Sequence, residues 1–91
     1  MPNIEVYGIT GERTIDIEKK IHGLFETKPY AADYVITFIA SGVVDKDGNN
    51  QPFLRLVSTP NAHLDDILLE LQKLNMDIEV QMLKQFIPKK I

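Results

Sequence analysis

Hydrophobic and polar positions fall into six patterned stretches along the chain, and each stretch marks an element. Ile4 and Val6 alternate with Asn3, Glu5 and Tyr7 before Gly8, the pattern of a half-buried strand that ends in a turn. From about Arg13 to Glu26 the apolar residues Ile17, Ile21, Leu24 and Phe25 fall on one helical stripe, and Lys28-Pro29 stops the helix. Gly23 weakens its last turn. Tyr34 to Ala40 is almost continuously apolar, which predicts a strand buried on both faces, placed centrally or against another subunit.

Asp45-Lys46-Asp47-Gly48-Asn49-Asn50 is a cluster of turn formers, closed by Pro52 ahead of a strand from Phe53 to Ser58. Asn61, after Pro60, reads as the N-cap of a second helix with Asp65 and Asp66 in its first turns, Leu64, Ile67, Leu68 and Leu71 on one stripe, and Asn75 as its C-terminal cap. Met76 to Leu83 alternates again and predicts a last strand. The order β-α-β, β-α-β gives one α+β domain over residues 1–91: two β-α-β units forming a four-stranded sheet with two helices on one face. Two topologies share that order, a ferredoxin-like split arrangement and a tautomerase-type pair of units related by a pseudo-twofold. Periodicity does not choose between them.

Composition narrows the function classes. With 44% hydrophobic and 25% charged residues, the 91-residue chain is ordinary globular material, and its small core would gain from oligomerisation. A net charge of −3 without a basic stripe predicts no nucleic-acid partner. No run reaches the ~20 apolar residues of a membrane span and no secretory leader is evident, so the expectation is a cytoplasmic protein with no membrane role. Absence of cysteine removes disulfides and thiolate chemistry.

Asp45, Asp47 and Asn49 lack the glycine and glutamate offsets of a calcium loop and read as a turn. His22 and His63 read as isolated helix-surface residues without a metal-ligand partner on the same face, so no metal is expected. Neither a nucleophile elbow nor a phosphate-binding glycine loop is present. Three residues remain. Pro2 heads the first strand, and if Met1 is removed its secondary amine is a candidate general base. Lys28 sits in the loop between the first helix and the second strand, where a side chain reaches a cleft. Arg55 should stand on the sheet face opposite Leu54 and Leu56, to meet solvent, a partner subunit or an anion.

These residues resemble the tautomerase superfamily of macrophage migration inhibitory factor, and within it a group of small bacterial proteins. Met-Pro opens the first strand, Thr27-Lys28-Pro29 is similar to that family's Gly-Lys-Pro, Gln51-Pro52-Phe53-Leu54 is similar to its Pro-led third strand, and Asn61 to Leu74 to its second helix. The resemblance implies a homotrimer with sites at subunit interfaces and keto–enol proton transfer on a small keto acid without cofactor. It implies Pro2 as the base, Lys28 as the cation near the substrate carboxylate or carbonyl, Asn61 as a backbone N–H donor, and Gln81 of a neighbouring subunit as a polar site residue. The spacing from Lys28 to Tyr34 is longer than in that family, and its second arginine has only Arg13 as a counterpart. A non-catalytic trimeric binding or structural protein of the same fold, and a ferredoxin-like regulatory module, are the alternatives.

Overall fold

The computed structural model describes residues 1–40 and 42–74 with their side chains, and the backbone of residues 79–84. Its elements are β1 (Asn3–Tyr7), α1 (Glu12–Phe25), β2 (Val35–Ile39), β3 (Phe53–Ser58), α2 (Leu64–Leu71) and β4 (Glu79–Lys84). The strands lie in the order β2-β1-β3-β4. β1 runs parallel to β2, β3 runs parallel to β4, and the two units meet along an antiparallel β1–β3 pair with Glu5 opposite Arg55.

In a split arrangement another strand would separate the two parallel strands of each unit. Here β1 hydrogen-bonds β2 directly, as β3 does β4, and the ferredoxin-like alternative is set aside.

Alternation along β1 and β3 sends Ile4, Val6, Leu54 and Leu56 to one face, where they are fully buried. The stripes of the helices meet them there: Ile17, Ile21 and Phe25 from α1, and Leu64, Ile67 and Leu71 from α2. Gly8 ends β1 at φ +77. A Cβ there would be strained in φ and would lie 3.3 Å from the Pro52 Cα, so the turn requires glycine. The β2–β3 connection is pinned by Asp45, whose Oδ1 accepts the N–H of Asp47 (2.9 Å) and of Asn49 (3.0 Å) while Val44 bridges Asn50. That carboxylate faces N–H donors of its own turn, as the turn reading expects.

Two expectations need correction. The apolar strand predicted from Tyr34 to Ala40, buried on both faces and placed centrally or against another subunit, lies at the edge of its sheet, and Val35 on it is 41% exposed. Its apolar residues face two ways: Ile36 and Phe38 lean on the core beside α1, while Val35 and Ile39 lie on the helix-free face. α2 begins at Leu64, later than Asn61, because the Asn61 Oδ1 accepts the His63 N–H (2.8 Å) and closes a turn ahead of the helix. It ends before Gln72, whose N–H reaches the Leu68 carbonyl; the predicted cap Asn75 lies outside the described residues. The start of the last strand, predicted at Met76, also lies outside them, and β4 is described from Glu79.

Candidate functional site

The β-α-β connection brings three sequence-predicted residues to one end of the sheet. α1 runs back against β1, so the loop after Phe25 returns to the β1 start, and the antiparallel β3 delivers its C-terminal end there as well. Pro2 is fully buried at the head of β1, and its carbonyl accepts the Val35 N–H at 2.9 Å, which fixes it to β2. Met1 precedes it and is 70% exposed; while Met1 is in place the Pro2 nitrogen is an amide without a basic lone pair.

One step past the Asn3–Val57 pair, the antiparallel register sets Pro2 level with Ser58. Ser58 is buried, donates its hydroxyl to the Thr59 carbonyl (2.7 Å) and accepts the Asn61 Nδ2 at 3.4 Å. It is a polar residue level with Pro2 that the sequence did not single out; its place two residues after Leu56, in the same alternation as Leu54, was the signal available. Asn61 is therefore engaged through both side-chain atoms, while its backbone N–H has no hydrogen-bond partner among the described residues. Gln81 falls opposite Arg55 within its own sheet, and its side chain lies outside the described residues.

Lys28 lies in a network across the helix layer. Its Nζ is 3.3 Å from Asp66 Oδ2 and 3.0 Å from Glu70 Oε1, and Lys73 Nζ reaches the same Glu70 oxygen at 2.8 Å. The Tyr30 hydroxyl donates to Asp66 Oδ2 at 2.7 Å. Glu70 is buried, and the two ammonium groups supply the charge-assisted bonds that a buried carboxylate requires. Lys73 and Lys28 hold the Glu70 carboxyl below its usual range. The Tyr30 hydroxyl, and after it Lys28, do the same for Asp66. Bonds that Lys28 donates to Glu70 and Asp66 raise it, and burial pushes Tyr30 up.

The cluster sums to zero charge: two lysines against two carboxylates. Lys28 is thus a local donor with one of its three N–H bonds left over, and it projects no uncompensated positive charge towards an acid.

These shifts set a pH dependence. Carboxyls lowered in the folded state stabilise it above their unfolded values, about 3.9 to 4.3, and that contribution is lost as pH falls through the folded values. Lys28 and Tyr30, both raised, stabilise below their unfolded values, about 10, and their contribution is lost as pH rises through the folded ones. Urea midpoints should therefore be level between about pH 5 and 9 and fall at both ends. Glu70→Gln should flatten the acid limb; an unchanged limb would show that the pairs do not contribute.

On the helix-free face, Arg55 stands opposite Leu54 and Leu56 as expected. Its guanidinium lies 5.3 Å from the ring centroids of both Tyr7 and Phe53, which stack on each other at 4.5 Å. The cation is held by its own sheet, and the stack forms a half-buried aromatic patch at its centre.

His22 is less isolated than the sequence reading held. Glu18 stands one turn earlier on the same face, with Oε1 3.4 Å from His22 Nε2, and His22 Nδ1 is hydrogen-bonded to the Tyr34 hydroxyl. His63 packs at the start of α2 with its ring 5.5 Å from that of Tyr30. No group of three metal-ligating side chains occurs among the described residues, and none of their helices is long and apolar enough to cross a membrane.

No family model matches the sequence, and no curated protein matches it. Among solved structures, the chain is similar to the crystal structure of a domain of unknown function, DUF1904, from Sebaldella termitidis, at 14% identity over 97% of this chain and 90% of that one, with a TM-score of 0.55. At that identity the likeness is one of fold, and the fold it supports is a small α+β domain.

Proposed function

We propose that this chain is a tautomerase-like isomerase, in which the Pro2 amine, once Met1 is removed, moves a proton between carbon and oxygen of a small keto acid. The observation that carries the reading is the position of Pro2. It is a buried residue at the head of a central strand, in a sheet of two β-α-β units joined antiparallel, with the Lys28 loop and Asn61 at the same end.

A free α-amine titrates near 7.7 to 8.0 in model peptides, and burial disfavours its charged form, which leaves a useful fraction neutral at physiological pH. The neutral nitrogen takes the proton α to the substrate carbonyl. The electrons of that C–H bond form the C=C bond, and those of the carbonyl π bond move to oxygen, giving the enolate; return of the proton to oxygen completes the enol. The developing oxyanion needs fixed donors, for which the Asn61 N–H and the third Lys28 N–H are the candidates.

Because the Lys28 cluster is neutral, substrate binding in this reading depends on hydrogen bonds more than on charge attraction. A cytoplasmic homotrimer completes the proposal. It would cover the helix-free aromatic face and bring Gln81 of a neighbour towards Pro2.

A second reading, a non-catalytic trimeric small-ligand-binding or structural protein of the same fold, is favoured by the double pairing of Lys28. Intact mass spectrometry of the protein from its native cell, with phenylpyruvate enolisation on the same sample, separates the two. The enzyme reading expects loss of Met1 and turnover; a retained Met1 with no turnover supports the second.

A further inference from the structure

A groove of about 320 Å³ lies between the outer flank of α1 and the edge strand β2, lined by Glu18, His22, Tyr34, Ile36 and Phe38. We propose that it binds a neutral, single-ring molecule bearing a hydroxyl donor, with a simple phenol as the type ligand.

Three features of the groove select that chemistry. Its wall is apolar, since Ile36 and Phe38 are partly buried against the core and leave the rest of their surface to the groove. Its volume stands at the small end of ligand sites, roughly 300–1,000 Å³, which suits one ring and excludes a nucleotide.

Its polar rim is a chain of fixed sense. An ionised Glu18 only accepts, so the 3.4 Å contact assigns the proton of a neutral His22 to Nε2 and leaves Nδ1 as the acceptor of the Tyr34 O–H. The tyrosine proton is committed inward. Its oxygen then offers the groove lone pairs alone, and a ligand must bring the donor. The Glu18 charge at the rim disfavours an anionic ligand. Tyr34 is held for this role by the core: its ring packs edge-on against Phe25, with centroids 4.9 Å apart.

Titration of the full chain with para-ethylphenol, followed by amide NMR, tests the site. Saturable shifts are expected at His22, Tyr34 and Phe38, with affinity lowered roughly two- to tenfold in Tyr34→Phe, which keeps the ring packing and removes only the hydroxyl. The carboxylate analogue para-ethylbenzoate should bind more weakly than the phenol, and Glu18→Gln, a change at a half-exposed side chain, should narrow that gap. If Tyr34→Phe fails to fold, the Glu18→Gln comparison decides. Absence of saturable shifts, equal affinity in Tyr34→Phe, or equal binding of phenol and benzoate by the unmodified chain would each overturn the proposal. So would shifts at these residues that follow protein concentration without any probe, since a second copy would then fill the groove.

Discussion

Replacing Phe25 with Ala should destabilise the fold by about 3–5 kcal/mol, the range for removing a buried aromatic side chain from a packed core. Phe25 is fully buried at the last turn of α1, and it packs edge-to-face against Tyr30 at 5.1 Å and Tyr34 at 4.9 Å. Those tyrosines lead in different directions. Tyr30 carries the contact to Asp66 and so to the Lys28 network, whereas Tyr34 carries the contact to His22.

Truncation therefore removes core volume and the common support of two polar assemblies. Domains of this size have roughly 5–15 kcal/mol of total stability, and each kcal/mol moves the melting point by roughly 4–8 °C. The midpoint should fall on the order of 20 °C, read by circular dichroism. A fall of only a few degrees would mean that the two tyrosines do not depend on Phe25.

Pro2→Ala should lower phenylpyruvate turnover by about 10²-fold or more, the contribution of a positioned general base. An Ala terminus, once freed of Met1, still offers an amine, but a primary one without the ring that fills the buried place of Pro2 at the head of β1. The loss should appear mainly in kcat, since the substitution touches proton transfer more than binding. Equal rates in the two proteins would favour the non-catalytic reading.

Local pattern made much of this fold legible. The alternation of Ile4 and Val6, the stripe of Ile17, Ile21 and Phe25, and the placement of Arg55 opposite Leu54 and Leu56 follow from side-chain period alone. Strand order does not, because an apolar strand has the same composition whether a second strand or a second subunit covers it. For that reason Val35–Ile39 read as central or set against another subunit, and in its own sheet it lies at the edge.

The candidate site divides in the same way. Pro2, Lys28 and Asn61 could be named from the chain, but the partners of Lys28 could not. Asp66 and Glu70 belong to another helix, and only folding brings their carboxylates to its amine. The Glu18–His22 pair stands at i, i+4 and was legible in principle. Its extension to Tyr34 depends on where β2 meets α1.

The central claim is that the Pro2 nitrogen serves as a base, and NMR titration of an isotope-labelled Pro2 nitrogen in protein processed by its native cell tests it most directly. The account predicts a titrating amine with its midpoint at or below the ~7.7–8.0 of a free α-amino group. A nitrogen that stays an amide and does not titrate at any pH would contradict it.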